Sequence, residues 1–354
     1  MTEKTKTSSD KPLVSICIPA YNTAKYLKKS LDSIVNQTYT NREIIVSNNA
    51  STDDTAKIVK KYVEKYKIKY FENDKNIGPW RNFERCISLA KGEYIAIFHA
   101  DDIYMPNIVQ KQVEYFQKNL QIGAVFTNAN LINGRGEIIG ESKLPVELNK
   151  KGTYYFTDIF FSTLNNLHYL VCPSVMVKSK IYHELIPFRD DLFETASDVD
   201  MWFRISEKYP IAILPEKLMN YRFSNTHETY LIRYLRTVEA DYFKVMDYYL
   251  ANKLKNVNIS KNTLSNYEFQ RSRDKLKCVI NHIIRDEITD AKGLLKKPFS
   301  IDIFWNVGGM KRKYKYLFYF LLEVMMSILI SFGLIKYVKK ILFWRLYQWR
   351  RRDY

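Results

Sequence analysis

Short apolar runs alternate with amphipathic stretches along the first third of the chain. Leu13–Ile18 (LVSICI) is largely β-branched and stops at Pro19, which predicts a strand. Glu43–Ser47, Lys67–Phe71 and Gly123–Asn128 repeat the pattern. Within Gly92–Asp102 (GEYIAIFHADD), five of the six residues from Tyr94 to His99 are apolar or aromatic. A run without polar alternation predicts a strand buried on both faces. Helical periodicity fills the intervals: Ala24–Asn36 behind an Asn22 or Thr23 cap, a helix capped by Ser51 or Thr52 and running to about Tyr66, one from Gly78-Pro79 through Ala90, and Met105–Lys118. Strands alternating with helices of this length predict an α/β fold with a mostly parallel sheet and right-handed crossovers.

Such sheets bind ligands outside the carboxyl ends of their strands. Candidate chemistry collects at those ends. Tyr21 follows the first strand, where a ring stacks on a base. Asn48 and Asn49 follow the second and offer hydrogen bonds to a base edge. Arg81 opens the helix before the organising strand, within reach of a phosphate. Asp101 and Asp102 close that strand, where adjacent carboxylates hold a divalent cation and, through it, a diphosphate. Each has a plainer alternative as a capping aromatic, turn residue, solvated charge or solvated turn. Their common position on one rim is what favours a site.

Composition adds location. The chain of 354 residues is 46% hydrophobic with a net charge of +17. Between Ala291 and Tyr354 there are 14 Lys/Arg against 3 Asp/Glu, a net +11, which points to anionic lipid or nucleic acid as a partner. Cys17, Cys86, Cys172 and Cys278 make no C-x-x-C pair, which argues against a zinc site or a disulfide framework. Met1–Lys11 is polar and reads as a disordered tail with no secretory signal, so a cytosolic or cytoplasmic-face location is expected.

Five ordered segments now carry a resemblance: SICIPAYN (Ser15–Asn22), EIIVSNNASTDDT (Glu43–Thr55), NIGPWRN (Asn76–Asn82), FHADD (Phe98–Asp102) and ASDVDMWFRI (Ala196–Ile205). Over about residues 13–225 the chain resembles family 2 glycosyltransferases of the GT-A fold. That resemblance implies a Rossmann-like, mostly parallel sheet flanked by helices. It implies that Pro19 and Tyr21 line the base pocket, that Asn48 stands where the base is read, and that Arg81 lies near the diphosphate, with Asn22 and Asn49 as neighbouring donor-binding candidates. Asp101 would end the metal-binding Asp-x-Asp, with Asp102 beside it, and hold Mg²⁺ or Mn²⁺ on the sugar nucleotide. Asp198 would be the general base of an inverting transfer. The chain departs from the family pattern in three places. His99 replaces the first Asp, leaving a weaker anionic site. Asn48 replaces the acidic reader of uracil, which leaves cytidine and thymidine donors open beside the UDP-sugar that the family leads one to expect. A family His after Tyr221-Arg222 is displaced to His227, a metal ligand or a surface-loop residue.

The remaining stretches organise the chain into a tail (1–11), a catalytic domain (12–230), a helical extension (231–310) and a basic, apolar end (311–354). Aromatics in Glu141–Leu170 suit core packing more than an acceptor groove. Leu317–Ile335 runs 19 residues with one charge, Glu323. Its flanks are basic on both sides, which favours a helix lying in or re-entering the cytoplasmic leaflet over a true span; a soluble packing or oligomer helix is the third arrangement. Surface anchoring in turn suggests a lipid-linked glycan as acceptor. A nucleotide or nucleic-acid binding module and a catalytically weak scaffolding homologue are the competing functions, although nucleic acid does not require the apolar run.

Overall fold

The computed structural model describes residues 11–149, 152–167, 169–223, 236–255, 257–296, 300–335, 337 and 339. The polar tail to Asp10, His227 and the basic segment from Lys340 onward lie outside the described residues.

The four leading strands are β1 (Val14–Ala20), β2 (Arg42–Asn48), β3 (Ile68–Glu72) and β4 (Tyr94–Ile97). They pair in parallel in the order β3-β2-β1-β4. Helices α1 (Ala24–Val35), α2 (Thr55–Lys65) and α3 (Pro79–Leu89) make the crossovers. The side-chain period of 2 explains the apolar runs. Ile16 and Ile18 of β1 face one core with Leu27 and Leu31 of α1, while Cys17 faces the other with Ile45 and Ile97. Both faces of β1 and β4 are buried, so neither strand alternates with polar residues.

The second half of the sheet is mixed. The chain continues through β5 (Ile103–Tyr104), α4 (Ile108–Lys118), β6 (Ala124–Ile132), β7 (Ile138–Glu141), β8 (Gly152–Tyr154), α5 (Phe156–Asn166), β9 (Met176–Lys178), α6 (Ser179–Leu185), α7 (Asp190–Phe193), α8 (Ser197–Lys208) and β10 (Ile211–Arg222). The order runs on from β4 as β9-β6-β10-β5. β6 and β10 are parallel, whereas the three-residue β9 wedges between β4 and β6 antiparallel to both. The parallel pairings are the long ones and keep the sheet mostly parallel. Phe160 and Tyr169 enter the core, and Phe156 packs against Phe203 and Tyr249.

The extension comprises α9 (Asp241–Asn252), α10 (Lys261–Ile284), α11 (Ile288–Leu295), α12 (Ile301–Asn306) and α13 (Met310–Ser331). Phe243, Met246 and Tyr249 of α9 and Tyr267 of α10 belong to the catalytic core. A second small core begins at Leu276 and joins α10 to α11 and α13. The packing boundary therefore falls inside α10, later than the boundary at 231 read from the sequence.

Gly92 sets the approach of β4 to β1. A Cβ there would stand 2.6 Å from the Ser15 amide nitrogen and 2.8 Å from the Leu13 carbonyl oxygen, both backbone atoms. The strands must part to admit it. Gly92→Ala is expected to destabilise the protein by about 1–3 kcal/mol, measured as a lowered urea midpoint; an unchanged midpoint would show that the strand pair yields at no cost.

Candidate active site

The carboxyl ends of β1 and β4 open on a cleft of about 1270 Å³. Pro19 of β1 lines it with Tyr21 and Asn22 just after that strand, His99, Ala100 and Asp101 after β4, and Asp198 from the first turn of α8. Five of the expected site residues thus share one space: Pro19, Tyr21, Asn22, Asp101 and Asp198.

The β1 loop is fixed by the β2 loop. Asn22 Oδ1 accepts from the Thr52 amide at 2.8 Å, and Ser51 Oγ accepts from the Asn22 amide at 3.0 Å. Asp53 Oδ2 accepts from the Ala24 amide at 3.0 Å. Asn22 is held at φ 49, and this two-loop lattice fixes that conformation. Tyr21 stays 45% exposed at the cleft wall, with its ring available for stacking.

Asn48, Asn49 and Arg81 do not line the cleft. Asn48 is fully buried. Its amide donates to Tyr70 Oη at 2.9 Å and Glu72 Oε1 at 3.1 Å, and its oxygen accepts from the Ser51 amide and hydroxyl. Asn49 donates to Asn76 Oδ1 and the Gly78 carbonyl and accepts from Asn73 Nδ2 and the Ile77 amide, so it fastens the turn before α3. Arg81 pairs with Glu84 at 3.1 Å and Asp190 at 3.6 Å. The geometry gives the asparagines a scaffolding task in place of the expected contact with the base. Their amide groups are already spent on internal bonds.

The acidic end of β4 is held from below. The Arg222 amide donates to Asp102 Oδ1 at 2.7 Å, and Arg222 Nε donates to the Asp101 carbonyl at 2.7 Å. Arg222 is 1% exposed, and its guanidinium lies 4.4 Å over the Tyr26 ring. Asp102 is fully buried behind Asp101, off the cleft wall. Burial first, then the neighbouring Asp101 charge, push its carboxyl well above the usual range. The His99 amide donates to Tyr104 Oη at 2.7 Å, and its carbonyl accepts from Ser30 Oγ at 3.1 Å. His99 also packs edge-on against Phe83.

These residues suit a cation. His99, Asp101 and Asp102 each place a ligand atom within 4.8 Å of the others. Asp102 Oδ2 is buried and accepts no hydrogen bond among the described residues. The motif His-Ala-Asp-Asp therefore keeps a donor set with one imidazole in place of a carboxylate.

Asp198 is part-buried, and its Oδ1 accepts from the Val199 amide at 2.8 Å. Asp200, two residues on, points elsewhere: Arg189, Arg204 and Tyr249 surround it in the core. Cys172 lines the cleft beside Asp198 and hydrogen-bonds to it; burial and the Asp198 charge push the thiol well above its usual range. Arg222, Trp80 and Cys172 had no role assigned from the sequence. Trp80 lines the cleft, donating from Nε1 to the Glu194 carbonyl at 2.8 Å and stacking on Phe188. Its signal was its place in NIGPWRN; Arg222 was visible only as half of a Tyr-Arg pair.

One consequence concerns the position where the family pattern carries an acid. Asn48→Asp would replace two donated hydrogen bonds by a carboxylate facing Glu72. It should cost about 1–3 kcal/mol of stability at neutral pH. Lowering the pH until either carboxyl protonates should reverse part of that loss in urea denaturation. A variant as stable as the parent at pH 7 would refute the scaffolding task.

The profile described as "Glycosyl transferase family 2" matches residues 15–186. An uncharacterised glycosyltransferase of Methanocaldococcus jannaschii is 35% identical over 251 residues, covering 69% of this chain and 82% of that protein. Among solved structures, S. aureus TarS residues 1–349 in complex with UDP superposes with a TM-score of 0.56 at 17% identity, over 90% of each chain. The mannosyltransferase PcManGT of Pyrobaculum calidifontis, in complex with GDP-Man and Mn²⁺, gives 0.52 at 15% identity over 92% of this chain and 88% of that one. Both likenesses concern the fold. With the parallel half-sheet, the loop lattice and the acidic end of β4 in place, the chain belongs to glycosyl transferase family 2 and has the GT-A fold.

Proposed function

We propose that this chain transfers a sugar, with inversion, from a nucleoside-diphosphate sugar to a hydroxyl of a lipid-linked glycan at the cytoplasmic face of a membrane, in the assembly of a polysaccharide or glycoconjugate. The observation that carries the chemistry is that Asp101 and Asp198 line one cleft from different elements. UDP is the nucleotide we favour, since TarS was solved with UDP and the Tyr21 wall accepts a planar base.

The roles follow from position. Tyr21 and Pro19 form the wall for the base. Asp198 accepts the proton of the acceptor hydroxyl as its oxygen attacks the anomeric carbon. The bond to the diphosphate breaks on the opposite side, and its electron pair leaves with the diphosphate, so the anomeric centre inverts. Asp198 stands in the first turn of α8, where the positive helix end suits a negatively charged side chain. The neutral Cys172 thiol donates to the same carboxylate and orients it. When bound, Mg²⁺ or Mn²⁺ supplies positive charge for the departing diphosphate, held by Asp101 with His99 and Asp102 alongside. Mg²⁺ demands oxygen ligands, so the imidazole tilts this set toward Mn²⁺.

Asp198→Asn is expected to lower the transfer rate about 10²–10⁴-fold, and Asp101→Ala about 10²-fold or more, with urea midpoints near that of the parent. Proton NMR of the product should show the anomeric configuration opposite to the donor's. Full activity in both variants, or retained configuration, would overturn this mechanism. His99→Asp should raise the activity with Mg²⁺ relative to Mn²⁺; an unchanged ratio would remove His99 from the metal's surroundings.

A further inference from the structure

Helix α13 has two unlike sides. Tyr316, Glu323, Met326 and Ile330 are buried against the extension. Glu323 is 2% exposed and pairs at 2.6 Å with Lys275 of α10. The opposite side is a continuous apolar stripe. Phe318 is 62% exposed, Leu321 57% and Ile328 51%, and Met310, Leu317 and Met325 lie along the same line. These positions recur at three- and four-residue spacing, one face of a helix. Phe332, 74% exposed, extends the stripe past the last turn, and Trp305 of α12 is 67% exposed ahead of its start. Scattered apolar residues on a surface are ordinary; a contiguous row of this length is not.

Charge says what covers the stripe. Lys311 and Lys315 are exposed at its start. Lys339 stands past its end, paired with Asp286, and the sequence beyond adds Lys340, Arg345 and Arg350–Arg352. Glu323 is the one acidic residue between Asp302 and Asp353, and it is turned inward. A second copy laid on the stripe would oppose basic end to basic end in either direction, with a chain charge of +17 on each side. An anionic bilayer surface meets both the apolar row and its basic ends.

Length and composition make α13 the one helix among the described residues able to cross a membrane. The Glu323–Lys275 pair argues against crossing. A span would carry that ion pair and the α10 surface behind it into hydrocarbon, where charged groups are costly. We infer that α13 lies in the plane of an anionic membrane, with the stripe through Phe318, Leu321 and Ile328 in the headgroup–acyl boundary and the Glu323 side fastened to the protein. The chain is thereby monotopic. This rests on the membrane-face part of the proposed function and not on its chemistry, so vesicle binding and sugar transfer fail separately.

The experiment is flotation of the purified full chain with vesicles of phosphatidylcholine alone or with one third phosphatidylglycerol. Binding is expected to the anionic vesicles, weakening as salt rises. The triple variant Phe318→Ser, Leu321→Ser, Ile328→Ser should bind about tenfold more weakly or less while keeping its urea midpoint, since all three side chains are exposed. Lys311→Glu with Lys315→Glu should weaken binding to anionic vesicles only. Alkaline carbonate should release the parent chain from native membranes. Undiminished flotation of the triple variant would overturn the docking face. Retention through carbonate would show a span in place of an in-plane helix. A lipid-independent dimer that the triple variant dissociates would assign the stripe to a second copy.

Discussion

The site depends on a buried arginine. Arg222, at the end of β10, holds the Asp101 carbonyl with its side chain and an Asp102 carboxylate oxygen with its backbone amide. A third bond runs from its Nη1 to the Asn133 carbonyl after β6. One side chain thus joins the ends of three strands from both halves of the sheet. The cost of burying a cation is offset by two carboxylates nearby and by a ring face. Removing one partner of such a set leaves an uncompensated buried charge, worth about 3–5 kcal/mol. The acidic turn is therefore fixed in direction before any ligand arrives, as the proposed cation and diphosphate roles require.

A second layer of order surrounds it. The loops after β1 and β2 are stitched by Asn22, Ser51, Thr52 and Asp53, and Asn48 and Asn49 extend the stitching to β3 and the turn before α3. Polar residues dominate these loops because backbone groups at strand ends lack sheet partners and need side-chain ones. The cleft wall is thereby held rigid where it leaves β1. Its other walls come from elements far along the chain, including Tyr242 of α9 and Arg273 of α10. The extension is consequently part of the catalytic body as well as the carrier of α13: α9 and α10 line the cleft, and α10 also packs against the helix that presents the apolar stripe.

Much of this was legible in the linear chain. The first four strands, their helices and the rim they share follow from periodicity and capping, since each is settled by contacts close in sequence. Tyr21, Asp101 and Asp198 could be named because each sits at the end of a regular element. Asn48, Asn49 and Arg81 lie at or after strand ends as the sequence implies, yet the two asparagines turn to internal partners and Arg81 pairs with Glu84 and Asp190 at the surface. Asn48 meets Tyr70 and Glu72 across more than twenty residues, a separation periodicity does not see. The Glu323 inside the apolar run was visible as a single charge, but its partner Lys275 was not.

The sequence by itself determined the α/β alternation, the acidic end of β4 and the basic, apolar character of the last stretch, because hydrophobic period and residue chemistry are local properties. Only the tertiary structure decided that β9 wedges antiparallel between β4 and β6 and that Arg222 clamps the aspartates. It also decided that Asp102 sits behind Asp101 and which side of α13 faces outward. Each of those outcomes is a pairing between distant segments, fixed by which surfaces are buried together when the whole chain packs.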